Sequence, residues 1–146
     1  MEYEKPNLLF FRFEDLRIYN KALDYVCWVY ENTESFPDSE KHCLTTQFIN
    51  SSQLIAIYIA EGSSRSRSQF VYYLRMAKTS IRECIVLTTI CERLNFLTEA
   101  NVEESRTFLI EMTKMIGALI TSQQKSERPC EKVEDDDYPV SQDTNA

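Results

Sequence analysis

The side chains best placed to do chemistry lie between Gly62 and Arg82, where five bases (Arg65, Arg67, Arg75, Lys78 and Arg82) occur with no acid among them. Steps of three and four put Arg75, Lys78 and Arg82 on one face of a helix, with Tyr72 about one turn ahead of Arg75. Cations beside an aromatic ring suit a nucleic-acid strand, because the charges meet phosphates and the ring offers a plane on which a base stacks. Arg65, Arg67, Tyr72, Arg75, Lys78 and Arg82 therefore form the candidate RNA or DNA face. The plainer reading is a solvated helix flank whose charges pair with acids such as Glu103, Glu104 or Glu111.

Other reactive groups stand alone. A carboxylate at Glu61, near a helix C-terminus, opposes the helix dipole at a cost of roughly 0.3–1 kcal/mol unless a base compensates it. Arg65 is the nearby base, and Glu61, Gly62 and Arg65 read as a structural corner between two helices. No second acid or nucleophile lies close enough in sequence to make Glu61 half of an acid–base pair. Cys84 and Cys91 are seven residues apart on an apolar seam and behave as small core hydrophobes. The five Cys contain no CxxC pair, and His42 is the only His, so zinc knuckles and bundle di-iron sites lack ligands. Two glycines cannot build a phosphate-cradling loop. No catalytic residue, metal ligand or cofactor is expected.

The elements that must position these groups are helices. A first amphipathic helix is predicted over about 14–34, with its stripe on Leu16, Tyr19, Leu23, Val26 and Tyr30, widened by Ala22 and Val29, and ended by Phe36-Pro37. A second is predicted over about 39–61, capped by Asp38 or Ser39. Its residues 43–60 carry no charge, and apolar side chains occupy two arcs: Leu44, Phe48, Ile55 and Ile59, then Leu54, Ile57 and Tyr58. Such a helix is covered on more than one side. Gly62 is expected to close it in the left-handed region. A third helix over about 68–96 keeps a/d spacing through Phe70, Leu74, Ala77, Ile81, Cys84, Thr88 and Cys91. A fourth, over about 101–125, is predicted to start at an Asn101/Glu104 capping box and to carry Val102, Ser105, Leu109, Met112, Ile116 and Leu119 on its seam. Gly117, inside it, points to close packing.

Four helices with short connections predict an all-α, antiparallel up-and-down four-helix bundle over 13–126. Residues 1–12 read as an irregular leader and 127–146 as a disordered acidic tail. That tail holds seven acids and two bases, a net of −5 out of −7, so the helical part is close to neutral. Thr45, Thr46, Gln47, Asn50, Ser51, Ser52 and Gln53 interrupt the uncharged run and exclude a membrane span. A cytoplasmic protein with reduced thiols is expected. Trp28 falls off the first stripe and, with Tyr25 and Val29, predicts an exposed aromatic patch. Together with Leu54, Ile57 and Tyr58 it forms the candidate oligomer interface, making other copies of the chain the expected partner.

One order of motifs runs through the chain: Phe13-Glu14-Asp15-Leu16, Lys21-Ala22, Phe36-Pro37 with Glu40, and Leu44-Thr45-Thr46-Gln47. It continues with Ile59-Ala60-Glu61-Gly62 and Arg65, then Phe70, Leu74, Ala77, Ser80 and Glu83. Over about residues 13–120 this resembles the four helix bundle proteins of the 23S rRNA intervening-sequence, or S23-type, family. The resemblance implies an up-and-down bundle assembled into a homo-oligomeric ring, a pentamer, with no catalytic residues attached. Accessory proteins of diversity-generating retroelements are similar bundles that bind nucleic acid and a reverse transcriptase, so a nucleic-acid-processing protein is the other implied partner. The tandem Arg usual after the LTxQ segment is replaced here by Ile49-Asn50, and the Asn usual before IAEG by Tyr58.

Overall fold

The computed structural model of the protein describes residues 10–125. The expected acidic tail, 127–146, and most of the leader lie outside them. A 3-10 turn at Arg12–Asp15 is followed by α1 (Arg17–Thr33), a second 3-10 turn at Asp38–Glu40, α2 (Leu44–Ser63), α3 (Arg67–Arg93) and α4 (Glu99–Lys125). Each helix packs on its neighbour in sequence, and α1 closes the ring of four by packing on α4. The result is the four-helix bundle, with no strand among the described residues.

Termination of the helices follows local chemistry. The end of α3 is a paired-bond cap: Asn95 takes φ 63°, its N–H donates to the Glu92 carbonyl, and the Phe96 N–H donates to that of Cys91 at 2.8 Å. The Ser66 hydroxyl caps α3 by accepting the Gln69 N–H. Thr98, three residues ahead of the expected Asn101, caps α4 by accepting the Asn101 N–H at 3.1 Å. Residues 38–43 do not continue α2, whose first turn is instead met by Glu40 Oε1 accepting the Leu44 N–H.

Both glycines depart from expectation. Gly62 has no positive φ and sits inside α2. It is required by proximity, since a Cβ there would lie 2.5 Å from Tyr73 Cβ on α3. Gly117 has the opposite environment, with nothing within 4 Å of a built Cβ, so the close packing expected there is absent.

The core holds every predicted a/d residue of α3, together with Phe48, Ile55 and Ile59 of α2 and Leu109, Met112 and Ile116 of α4. Helix α1 corrects the prediction. Its buried face is Ile18, Ala22, Tyr25, Trp28, Val29 and Thr33, whereas Leu23 and Tyr30 of the expected stripe are exposed. The aromatic face wins because its polar tips find partners. Tyr25 Oη and Ser105 Oγ are 2.8 Å apart, Ser105 Oγ and Thr88 Oγ1 2.8 Å, and Trp28 Nε1 donates to Glu104 Oε1 at 2.8 Å. Tyr25 stacks on Trp28 with 5.7 Å between centroids. Buried hydroxyls satisfied in this way cost little. Tyr25, Trp28 and Val29 are therefore core residues bound to α4, not an exposed patch.

Candidate functional site

The bundle presents two surfaces of interest on different sides. The first is the basic flank of α3. Arg65, Arg67, Arg75 and Arg82 are exposed, Lys78 is half-buried and Tyr72 is exposed. Arg65 is engaged locally: its Nη2 donates to Glu61 Oε2 at 2.5 Å, and its guanidinium lies 5.3 Å from the Tyr73 ring centroid. The hydrogen bond that Arg65 donates to Glu61 raises the Arg65 pKa. Gly62 packs under the same Tyr73, so Gly62 and Arg65 both meet α3 through that residue, while Glu61 is tied to it through Arg65. Glu61 itself precedes the end of α2 by two residues.

Among the described residues Arg75, Lys78 and Arg82 form no salt bridge. The acids expected to neutralise them face elsewhere. Glu111 pairs with Lys21 at 2.5 Å, and Glu104 accepts from Trp28, both on the α1 side of α4. The opposite flank of α4 faces α3. The Thr88–Ser105 contact fixes the antiparallel register of the two helices.

The second surface lies between α1 and α2. A groove of about 460 Å³ is lined by Phe13, Tyr19, Leu23, Val26, Gln53, Ala56, Ile57 and Ala60. Gln53 and the Tyr19 hydroxyl are its polar groups. Ile57 stands 52% exposed at its edge, and Leu54 and Tyr58 continue the apolar surface toward α3, half-buried, with Tyr58 6.3 Å from the Tyr73 ring. Of the six interface residues expected, Leu54, Ile57 and Tyr58 lie on this outer surface. The groove exists because α1 carries two apolar arcs. The bundle buries one, and Leu23, Val26 and Tyr19 of the other turn toward α2. Sequence periodicity found both arcs and assigned them the wrong way round.

The two seam thiols are inert by placement. Cys84 and Cys91 are fully buried. Burial pushes the Cys84 thiol up to about 12, with the Glu83 charge adding to it. Cys91 rises to about 12 for the same first reason, with Glu40 adding. Cys27 and Cys43 are exposed and apart. His42 is exposed. Among the described residues no group of three His, Cys, Asp or Glu could hold a metal ion, and no helix is long and apolar enough to cross a membrane.

Comparison with known proteins agrees with this architecture. A crystal structure of a Bacteroides thetaiotaomicron protein, described as of unknown function and from the S23 ribosomal protein family, superposes with a TM-score of 0.63. It shares 19% identity and covers 70% of this chain and 97% of its own, a likeness of fold. No curated protein matches the sequence. The signature of the 23S rRNA-intervening sequence proteins matches residues 14–118, through all four helices. With the bundle and its order of motifs, that match places the chain in the 23S rRNA-intervening sequence protein family.

Proposed function

We propose that the protein is a non-catalytic homo-oligomeric scaffold whose subunits associate through the apolar outer surface of α1 and α2. The observation that carries this reading is the groove beside Ile57. A 20-residue helix without Lys or Arg, and with Glu61 as its only acid, leaves Ile57 half in water beside seven further groove residues. Contiguous apolar surface of this kind marks contact sites. Assembly into a ring of five is what the family resemblance implies.

Sedimentation velocity tests the reading. The wild type should sediment well above its 17.1 kDa protomer mass at micromolar concentration. Leu23→Glu with Ile57→Glu should sediment as a monomer with the same helical circular dichroism. A wild type that stays monomeric over the accessible range would refute it.

A second reading, an RNA- or DNA-binding accessory protein, is favoured by one observation. Among the described residues Arg75, Lys78 and Arg82 pair with no acid, while Glu104 and Glu111 of α4 are held on the α1 side. Binding of a single-stranded oligonucleotide should weaken steeply with salt and be lost in the Arg75→Ala/Lys78→Ala/Arg82→Ala variant. Removal of residues 126–146, which take away a net −5, should strengthen it. No binding at low salt by the shortened chain would end this reading.

A further inference from the structure

Resting on the self-association reading, we infer that the α1–α2 groove is the receptor for an aromatic arm, Leu8-Leu9-Phe10-Phe11, donated by a second copy of the chain. The groove is open and apolar, about 460 Å³. Directly beside it, where the chain enters at Phe13, two large side chains have no cover. Phe10 is 76% exposed and Phe11 49%. Their rings pack on each other at 4.8 Å, and Phe11 reaches only the Phe13 ring at 6.1 Å. Neither lines the groove. The sequence continues upstream as Leu9 and Leu8, so Phe10 and Phe11 close a run of four consecutive apolar residues.

The turn that follows the arm is tied to α1. The Arg12–Asp15 turn is closed by the Glu14 N–H donating to the Phe11 carbonyl at 3.0 Å and the Leu16 N–H donating to that of Phe13 at 3.0 Å. Asn20 Nδ2 ties the turn to α1 through the Glu14 and Leu16 carbonyls. With the turn held in this way, both rings lie outside the groove of their own protomer. An uncovered donor beside an empty receptor, held apart within one copy, is the arrangement expected of an element exchanged between copies. Phenylalanine buries roughly 150–250 Å², so one docked arm and the groove wall beneath it bury on the order of several hundred Å² at each junction between copies.

Complementation in the full chain tests the inference. Phe10→Ser/Phe11→Ser keeps the groove and loses the arm, while Leu23→Glu/Ile57→Glu keeps the arm and loses the groove. Each alone should sediment as a folded monomer, with helical circular dichroism equal to the wild type. Mixed in equal amounts at raised concentration, they should form a heavier one-to-one pair, through the one intact arm and the one intact groove. Wild-type sedimentation by Phe10→Ser/Phe11→Ser overturns the arm while leaving self-association through another face. Two folded monomers that do not pair on mixing also overturn it, because the contact is then face to face. A wild type that is monomeric, with the arm in its own groove or free, overturns both readings.

Discussion

Replacing each glycine by alanine adds the same methyl group to two helices, and the structure predicts opposite signs. In α4, a Cβ at Gly117 meets nothing within 4 Å, so Gly117→Ala gains the helix propensity of alanine, about 1 kcal/mol. In α2, Gly62→Ala gains the same amount, but its Cβ arrives 2.5 Å from Tyr73 Cβ, 3.1 Å from Phe70 Cδ1 and 3.2 Å from Tyr73 Cγ. Tyr73 Cβ is fixed to the α3 backbone and cannot rotate aside. Reaching the shortest tolerable contact, about 3.0 Å, requires α2 and α3 to separate by at least about 0.5 Å, and interiors pack too densely to absorb that freely. Overpacking of this kind costs about 1–3 kcal/mol, near the upper end when the obstructing atom is rigid. The net loss for Gly62→Ala is then about 1–2 kcal/mol, and the two variants differ by about 2–3 kcal/mol. Urea unfolding followed by circular dichroism at one fixed protein concentration reads this directly. On heating, it corresponds to several degrees between the two midpoints. If Gly62→Ala is as stable as the wild type or more so, the assignment of Gly62 to helix contact is wrong.

Three further outcomes follow from the core. Leu74→Ala, at a fully buried seam position, should lower stability by about 2–5 kcal/mol in the same unfolding assay. Tyr25→Phe removes a buried hydroxyl bonded to Ser105 and should cost about 1–3 kcal/mol, with sedimentation unchanged because Tyr25 belongs to the core. Burial raises Cys84 and Cys91 from 9.0 to about 12. The unfolded chain therefore loses thiol protons that the folded one keeps, and stability should fall as pH rises from about 9 toward 12. Cys84→Ala/Cys91→Ala should flatten that slope whatever its effect at neutral pH; an unaltered slope would contradict the burial.

Periodicity made the bundle legible in the sequence, and most completely in α3, where Phe70 to Cys91 carry the strict a/d spacing and all are buried. In α1 it failed for an identifiable reason. Two arcs of similar hydrophobicity compete, and the choice depends on Ser105 and Glu104 of α4, which satisfy Tyr25 and Trp28 from more than 70 positions away in sequence. No local count of apolar residues contains that information. The α2 prediction was right about the inner arc, and the outer residues Leu54, Ile57 and Tyr58 remain at the surface. Gly62 illustrates a different limit. A glycine near a helix end reads as a left-handed cap, but here its missing side chain matters only because Tyr73 of another helix arrives beside it. Likewise the bases of α3 were visible one by one, whereas the side on which the α4 acids lie was set by Lys21 and Trp28.

Tyr25, Ser105 and Thr88 link α1, α4 and α3 at one level of an otherwise greasy interior. Sliding α4 along its axis by a single turn would move Ser105 by about 5.4 Å and strand two buried hydroxyls, at about 1–3 kcal/mol each. That penalty is comparable with a sizeable share of the 5–15 kcal/mol that separates folded from unfolded domains. Long seams of Leu, Ile and Met tolerate neighbouring alignments almost equally, so this trio works as a vernier that selects one. A redesign replacing all three by leucine would be expected to stay helical while losing its unique alignment, which a collapse of methyl dispersion in its NMR spectrum would reveal.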